Sequence, residues 1–362
     1  MTDCFDIAIV GAGMAGASLA AHVALGASVV IIEAEDRPGY HATGRSAAFW
    51  TESYGGPLVQ PLTSASGPML REGGFLLERG ALTIGRSGRE AEVAAFAQRY
   101  AALGVRVEPL GREELEAYIP GLRPEWRAGV LEPDCCDIDV AALHQHYLAE
   151  AGTDGAQLYC RARVVSINAE GKGWRLRLAD GRELRCGILV NAAGAWADQI
   201  AALAGVAAVG VAPLRRTVVQ LHVDPPVHAT LPLVLDIDEG FYFKPETGRI
   251  WLSPHDETPS PPCDAAPEEI DVASAIDRLE GVVDWRVRRV EHRWAGLRSF
   301  TRDRLPVFGF DPAAPKFFWC AGQGGFGIQT APASADLAAR LLLGEPAGEV
   351  DPTPYGIGRF RS

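Results

Sequence analysis

Residues 5–33 constrain the fold of this chain more than any other stretch. They read as a short apolar strand, a glycine turn, a helix of small residues and a second apolar strand. In the G-x-G-x-x-G turn, Gly11 permits the tight bend, Gly13 lets the backbone approach a pyrophosphate, and Gly16 lets helix and strand pack closely. Glu33 ends the second strand, where an acid can accept hydrogen bonds from a ribose hydroxyl. The stretch predicts a dinucleotide-binding βαβ unit; the alternative is a tight βαβ turn without a ligand.

Length and charge limit the remaining classes. The chain has 362 residues, which favours two domains, and 48% of them are apolar, enough to build a sizeable core. The formal net charge is −12 and the pI is about 5.2, which argues against nucleic acid as a partner. We expect small-molecule chemistry.

The ends and apolar runs carry no membrane signal. The N-terminus has no basic region and carries Asp3 and Asp6, so no signal peptide is expected there. No apolar run reaches the roughly 18 residues that a transmembrane helix needs. The expected location is cytoplasmic, and peripheral attachment to a membrane stays open.

Cysteine and histidine spacing gives no metal or redox motif. The seven cysteines include no C-x-x-C pair, so we expect them to be reduced. His144 and His146 lie two residues apart on a predicted helix, and such positions face different directions. We therefore expect no metal.

Glycines also open an element near the C-terminus. An apolar strand, Phe317–Ala321, precedes the glycine-rich turn 322–327, and a long helix is predicted over Ile328–Leu343. Such a helix end presents free N–H groups and a positive dipole end. Both ends of the chain are thus expected to build one nucleotide domain.

The middle of the chain has a different pattern. From Pro213 onward, four segments alternate apolar and polar residues, as in an antiparallel sheet with one wet face: Thr217–Val223, Leu233–Asp236, Phe241–Lys244 and Arg249–Ser253. Residues 76–84 suggest one strand, Pro120, Pro124 and Pro133 mark an irregular passage, and Glu183–Cys186 and Ile188–Val190 suggest two separate strands. Asp139 is a candidate N-cap for a helix through Ala151.

Several motifs in a fixed order resemble the D-amino-acid oxidase (DAO) superfamily of flavoproteins. Within it, the chain is most similar to bacterial flavin-dependent D-arginine and D-amino acid dehydrogenases. The motifs are GAGMAGAS at 11–18, PGYHATGRSAA at 38–48, DIDVAALHQHYL at 137–148, LVNAAGAWAD at 189–198, RRT at 215–217, DEGFYFKP at 238–245, WAGLRSF at 294–300 and GQGGFGIQT at 322–330. The resemblance covers nearly the whole chain.

The resemblance implies FAD as the cofactor. The residues it implies for FAD binding are Gly11, Gly13, Ala15, Gly16, Glu33, Arg45, Ser46, Ala47, Ala48, Val164, Gly194, Trp196, Gly324, Gly325, Gly327 and Ile328. Among these, residues 45–48 would line the isoalloxazine, and 324–328 would bring a helix N-terminus to the flavin pyrimidine ring. The sarcosine oxidase branch attaches its flavin through a cysteine shortly before a T-x-D-x-x-P segment. Here no cysteine closely precedes that segment, 301–306, so we expect non-covalent FAD.

The resemblance also implies an amino-acid site. Arg216 and Arg298 match arginines that clamp the substrate carboxylate, for which a planar guanidinium suits two parallel hydrogen bonds. Tyr242 matches a tyrosine that touches the carboxylate, and Tyr54 matches one near the substrate. The implied reaction is oxidation of a D-amino acid to a 2-oxo acid and ammonia by hydride transfer to flavin N5. The reduced flavin would pass its electrons to a quinone or another carrier.

Two positions depart from the relatives. Phe49 stands where they have a histidine near the substrate amine, and Ala81 is the best match for a glutamate that pairs with a cationic side chain. An unpaired guanidinium in an apolar pocket is costly. We therefore expect a neutral or apolar substrate rather than D-arginine or D-lysine.

The expected architecture is α/β and resembles the DAO and glutathione reductase folds. A Rossmann-like FAD-binding domain would comprise 1–75, 138–206 and 299–362, and an antiparallel-sheet substrate domain would comprise 76–137 and 207–298. Three other functions stay open. They are an oxidase of glycine or an N-methyl amine, a 2-hydroxy acid dehydrogenase, for which no candidate histidine is evident near the expected site, and a flavin-binding protein without activity.

Overall fold

The computed structural model describes residues 3–361, so the outermost ends of the predicted ranges 1–75 and 299–362 lie outside it. The helices are α1 (Met14–Val23), α2 (Gln60–Glu72), α3 (Glu90–Ala102), α4 (Arg112–Tyr118), α5 (Val140–Thr153), α6 (Ala197–Leu203), α7 (Glu269–Glu280) and α8 (Ala331–Leu343). The strands of the first half are β1 (Asp3–Val10), β2 (Val29–Ile32), β3 (Phe49–Trp50), β4 (Leu76–Glu78), β5 (Ala81–Arg86), β6 (Glu108–Gly111), β7 (Trp126–Glu132), β8 (Cys136–Ile138), β9 (Gln157–Tyr159), β10 (Val164–Glu170) and β11 (Gly173–Leu178). Those of the second half are β12 (Glu183–Asn191), β13 (Ala212–Asp224), β14 (Leu233–Asp236), β15 (Tyr242–Glu246), β16 (Arg249–Ser253), β17 (Thr258–Pro259), β18 (Arg286–Phe300), β19 (Val307–Asp311), β20 (Ala314–Ala321) and β21 (Gln323–Gly324).

An eight-stranded sheet holds the predicted βαβ unit. Its order is β10-β11-β12-β1-β2-β9, and β20 joins the carboxyl-terminal part of β12 and carries β19 at its other edge. The strands β12, β1, β2 and β9 run parallel. Alternate residues of β1 enter the cores on the two faces, Ile7 and Ile9 with α1, α5 and α8, and Ala8 and Val10 with α6. Burial on both faces explains why β1 and β2 are apolar without alternation.

A ten-stranded sheet forms the second layer of strands. Its order is β21-β18-β13-β16-β15-β14-β5-β7-β6, with β17 on β13. Most neighbours are antiparallel, as the alternating pattern predicts, whereas β14 and β5 pair in parallel. The long ladder of β13 and β18 places Arg216 opposite Gly296. The division into two domains stays a prediction: the large sheets take their strands mainly from the two predicted sets of ranges, while the three-stranded sheet β3-β8-β4 draws on both.

Three predicted elements are wrong in detail. The strand expected over 76–84 is two strands in different sheets, because Gly80, at φ +73°, turns the chain between β4 and β5. The passage expected to be irregular contains β7, which is flanked by Pro124 and Pro133 and pairs with β5 and β6. The two strands expected over 183–190 are the single strand β12, because β1 pairs along nearly its whole length.

Two boundaries near the site are informative. Asp139 accepts a hydrogen bond from the Ala142 N–H at 2.9 Å, which confirms the predicted cap of α5. The predicted helix over Ile328–Leu343 begins three residues late, at Ala331. Residues 325–330 form turns, and Pro332 lies in the first helical turn, where the absence of its N–H is tolerated.

Neither a membrane helix nor a metal site is found in the described part of the chain. No helix between residues 3 and 361 is long and apolar enough to cross a bilayer. In the same range, no group of three His, Cys, Asp or Glu side chains is placed to hold a metal ion. His144 is instead bound to the glycine turn, its Nε2 lying 2.9 Å from the Ala12 carbonyl oxygen.

Candidate active site

The glycine turn between β1 and α1 is closed to any larger residue. A Cβ on Gly11, which has φ +105°, would lie 2.4 Å from the Ala192 carbonyl oxygen. A Cβ on Gly16 would lie 1.9 Å from the Gly11 carbonyl oxygen. Gly11 is therefore required by the bend and Gly16 by the packing of α1 against the turn, as the motif predicts.

Polar contacts fix the shape of this turn. One Glu33 carboxylate oxygen accepts from the Ala12 N–H at 2.9 Å, and the other accepts from the Glu35 N–H at 3.0 Å. Thr43 Oγ1 accepts from the Met14 N–H at 2.9 Å, so a residue outside α1 caps that helix. Each carboxylate oxygen keeps capacity for a further donor, such as a sugar hydroxyl.

A cavity of about 340 Å³ begins at this turn and extends along the carboxyl ends of the parallel strands β1, β2 and β12. Gly13 and Ala15 line it, so the N-terminus of α1 faces the cavity. The predicted cofactor residues that line it are Gly11, Gly13, Ala15, Glu33, Arg45, Ser46, Val164, Gly194, Trp196, Gly324, Gly325, Gly327 and Ile328. Gly16 packs behind the turn, and Ala47 and Ala48 line a smaller neighbouring cavity.

The Arg45 side chain is already occupied within the protein. Its guanidinium donates to the Asp264 carboxylate and to the carbonyl oxygens of Ala265, at 2.8 Å, and Ala295, at 3.2 Å. These bonds bring Cys263 and Ala265 to the wall of the larger cavity. The sequence gives no signal for this wall, because residues 254–266, a proline-rich segment, carry no motif of their own.

The smaller cavity, of about 20 Å³, holds the predicted substrate residues. Tyr54, Arg216, Tyr242 and Arg298 all line it. Ser46, Arg298, Gly325 and Ile328 line both cavities, so the two adjoin. The fold thus brings together four residues that lie far apart in the sequence.

The two arginines differ in their partners. Arg216, which is 2% exposed, donates through Nε to the Asp256 carbonyl oxygen at 2.8 Å and through Nη2 to Glu257 at 3.0 Å. Arg298 donates only to the Arg45 carbonyl oxygen, at 3.5 Å, and has no carboxylate partner among residues 3–361. Burial lowers the pKa of Arg298, but a guanidinium stays protonated in proteins. Arg298 is therefore a buried cation that lacks a counterion within the described chain.

Apolar side chains pack beside these polar groups, including Phe49 and Tyr242, which line the smaller cavity. Phe49, Ala81, Cys135, Leu233 and Tyr242 belong to one buried cluster. The Phe49 ring lies edge-on to the rings of Tyr54, at 5.3 Å, and Tyr242, at 5.8 Å, between centroids. The two positions that depart from the relatives, 49 and 81, thus share one apolar surface.

Three further residues support the site and were missed in the sequence. Glu132, which is 3% exposed, accepts from the Thr51 and Ser53 hydroxyls and from the Glu52 N–H. Gln329 donates to the Tyr54 carbonyl oxygen at 3.2 Å. His255 lies beside Tyr54 and Tyr242, so the expectation that no histidine lies near the site is wrong. His255 follows the end of β16, and only the register of the sheet places it beside these tyrosines.

Curated relatives align with parts of the chain at low identity. A hydrogen cyanide synthase subunit, HcnC, from Pseudomonas aeruginosa is 26% identical over 270 residues, which cover 72% of this chain and 61% of that protein. An FAD-dependent oxidoreductase domain-containing protein 1 from Bos taurus is 29% identical over 194 residues, which cover 49% of this chain and 40% of that protein. A glycine oxidase from Bacillus licheniformis is 23% identical, with 94% of both proteins covered.

Solved structures share the whole fold. A glycine oxidase from Geobacillus kaustophilus superposes with a TM-score of 0.85 at 23% identity, covering 98% of this chain and 99% of that one. An L-proline dehydrogenase from P. horikoshii gives 0.83 at 22% identity, covering 96% and 95%. The family model DAO, for FAD-dependent oxidoreductases, matches residues 6–341. The chain therefore belongs to the DAO family of FAD-dependent oxidoreductases.

Proposed function

We propose that this enzyme oxidises a D-amino acid with a neutral or apolar side chain to the corresponding imino acid, which water converts to a 2-oxo acid and ammonia. The observation that carries the proposal is the buried Arg298 guanidinium, which has no carboxylate partner between residues 3 and 361 and borders both cavities. A buried cation needs a counterion or strong acceptors. A substrate carboxylate would supply both.

FAD, the cofactor of the family, fits the larger cavity. Gly11 and Gly13 leave room for the backbone to approach a pyrophosphate, and α1 directs its N-terminus at the same place. Glu33 would accept from the adenosine ribose, while Ser46 and residues 324–328 would adjoin the flavin. When bound, FAD supplies the two-electron acceptor for oxidation of the substrate.

Side chains of the smaller cavity would position the substrate. Arg298 would bind the carboxylate by a pair of parallel hydrogen bonds, with Tyr242 beside it. Arg216, held by Glu257, would support this clamp. Phe49 would contact the substrate side chain, and Ala81, which packs in the same apolar cluster behind the cavity lining, would supply no partner for a cation. Orientation of the α-carbon toward the larger cavity would be the main contribution of the protein to the rate.

A second candidate is oxidation of glycine or an N-methyl amine. The smaller cavity is narrowed by Phe49 against the two tyrosines, which favours a substrate with little or no side chain. The alignment of a glycine oxidase over 94% of both proteins supports the same candidate. The same carboxylate clamp would serve both substrates.

Anaerobic bleaching of the flavin tests these candidates directly. The yellow protein would be mixed with D- and L-amino acids, glycine, N-methyl amino acids and 2-hydroxy acids while the flavin absorbance is followed. Bleaching by neutral D-amino acids supports the first candidate, and bleaching by glycine or sarcosine alone supports the second. Bleaching by 2-hydroxy acids alone, or by no compound, contradicts both.

The electron acceptor requires its own assay. A quinone or another carrier is expected if the enzyme is a dehydrogenase, whereas an oxidase releases hydrogen peroxide in air. Parallel assays of quinone-dye reduction and peroxide release with the best substrate distinguish the two. Stoichiometric peroxide would contradict the proposed carrier.

A further inference from the structure

His255 is held in one orientation at the edge of the smaller cavity. It follows β16 and has φ +52°, a backbone conformation that few non-glycine residues adopt. Its Nδ1 lies 2.7 Å from the Glu239 carbonyl oxygen, which can only accept a hydrogen bond. Nδ1 therefore carries the proton in the neutral ring, and Nε2 has a free lone pair.

That lone pair faces Tyr54. Nε2 lies 3.4 Å from the Tyr54 hydroxyl oxygen, and the two rings are edge-on with centroids 6.3 Å apart. The Tyr242 ring is also edge-on to the imidazole, with centroids 5.8 Å apart. Since an unprotonated Nε2 can only accept, the Tyr54 O–H must be the donor in this contact.

Charges around the ring keep it neutral. Burial and the neighbouring guanidiniums of Arg216 and Arg304 lower the pKa of His255 to about 3, against a smaller opposing effect of Glu257. The imidazole is then an acceptor throughout the neutral pH range.

The Tyr54 oxygen is consequently left to accept. Its single hydrogen is directed to His255, and Arg216 Nη1 donates to the same oxygen at 3.5 Å, so one lone pair remains for a further donor. A carboxylate has no hydrogen to give, whereas the nitrogen of an amino acid has. A phenol oxygen whose hydrogen is already donated suits that nitrogen.

On the basis of the proposed function, we infer that His255 is a positioning residue that takes the Tyr54 hydroxyl hydrogen and thereby makes Tyr54 the acceptor for the substrate nitrogen. Arg298 and Tyr242 then serve the carboxylate, and Tyr54 serves the nitrogen. Hydrogen-bond donors would thus recognise the carboxylate of the substrate, and a hydrogen-bond acceptor would recognise its nitrogen.

Three variants separate this role from a packing role. His255→Phe keeps an aromatic ring between the two tyrosines and removes both nitrogens. His255→Asn keeps a donor and an acceptor, and asparagine tolerates positive φ. His228→Phe, in an exposed loop after β13, is the matched control. Flavin content and thermal midpoint establish that each variant is folded.

Two ligands supply the decisive comparison. The best amino-acid substrate carries both a carboxylate and a nitrogen, whereas propionate carries a carboxylate alone. Binding of propionate to the holoenzyme is followed by the change it causes in the flavin spectrum. For His255→Phe we expect kcat/KM to fall about tenfold while the propionate Kd stays within twofold. We expect His255→Asn to recover most of the loss and His228→Phe to match wild type. An unchanged kcat/KM in His255→Phe, or equal weakening of substrate and propionate, overturns the inference.

A second experiment, by NMR spectroscopy, does not depend on activity. In protein labelled with ¹⁵N-histidine, the resonances lost in His255→Asn identify this ring. We expect the neutral Nδ1–H form at pH 6 and a shift of the Nε2 resonance in Tyr54→Phe. A protonated ring, or no response to Tyr54→Phe, overturns the inference even if amino acids are oxidised. If no amino acid bleaches the wild type, the proposed function fails, while this experiment still decides whether His255 binds Tyr54.

Discussion

Arg216 donates through Nη2 to the carboxylate of Glu257 at 3.0 Å, so its charge is compensated within the chain. Glu257 also binds Arg304 at the exposed side of the site. Arg298 borders the same small cavity and has no such partner among residues 3–361. The two arginines of the proposed clamp are therefore in different electrostatic states before any substrate arrives.

Substitution of the two arginines should have opposite effects on stability. Arg298→Met removes a buried, uncompensated charge, so we expect the thermal midpoint of the substrate-free holoenzyme to rise. Arg216→Met leaves the Asp256 carbonyl oxygen without the Arg216 donor and leaves Glu257 with Arg304 alone, so we expect the midpoint to fall. Thermal unfolding of the two variants and wild type at pH 7.5 checks this. Equal losses in both variants would show that Arg298 has a structural counterion.

Both arginine variants should lose activity. Charge-assisted hydrogen bonds are worth about 1.5–3 kcal/mol each, so loss of a bidentate pair predicts a fall in kcat/KM of at least about 100-fold for Arg298→Met. Arg298→Lys should recover only part of this, because an ammonium cannot form the planar pair. A variant with wild-type kcat/KM would remove Arg298 from the clamp.

The residue at position 81 should affect the selectivity between substrates with neutral and with cationic side chains. Phe49 lines the smaller cavity and packs with Ala81 and Leu233 in one apolar cluster, which offers no partner to a guanidinium. Burying a guanidinium unpaired costs several kcal/mol. We expect D-leucine or D-methionine to be at least about 100-fold better in kcat/KM than D-arginine. Ala81→Glu should shift the ratio toward D-arginine, whereas Ala128→Glu, on β7 of the same sheet, should not. A wild-type preference for D-arginine contradicts the prediction.

The flavin should be released by acid. Cys263 lines the larger cavity, and Cys320 is buried close to Gln323, but the sequence predicts no covalent link. After precipitation in trichloroacetic acid, we expect the yellow colour in the supernatant for wild type and for Cys263→Ser alike. Flavin that stays in the wild-type pellet and is released from Cys263→Ser would identify a thioether at this position.

His144 should make the folded protein sensitive to acid. Burial lowers the pKa of this ring, which bonds the Ala12 carbonyl of the glycine turn. Below the unfolded pKa of about 6.5, the unfolded chain takes up a proton that the folded chain does not, so stability is lost as pH falls. The His144→Gln variant has no imidazole at this position to take up the proton. We therefore expect the difference in unfolding free energy between wild type and this variant to change by up to about 2 kcal/mol between pH 7.5 and pH 5.0.

Denaturant titrations of both proteins at the two pH values, with excess FAD, measure that change. Carboxylates titrate in both proteins, so their contributions cancel in the difference. A difference that is constant with pH would mean that the ring has the same pKa in the folded and the unfolded chain, which contradicts the prediction.

Local patterns in the sequence determined the nucleotide-binding part of this protein. Gly11 is required by its positive φ and Gly16 by a backbone contact within the same βαβ unit, and the apolar runs of β1 and β2 follow from burial on both faces of one sheet. Asp139 caps α5 through a contact three residues away. Such signals are readable because cause and effect lie within one or two turns of chain.

The tertiary structure alone decided how the residues of the candidate site are paired. Tyr54 meets His255, Arg45 meets Asp264, and Thr51 meets Glu132 because the registers of two sheets bring distant segments together. The motifs selected Arg216 and Arg298 equally, and only the position of Glu257 distinguishes them. Hydrogen bonding and counterion pairing act over a few ångströms, so for residues far apart in the sequence they are set by the completed fold.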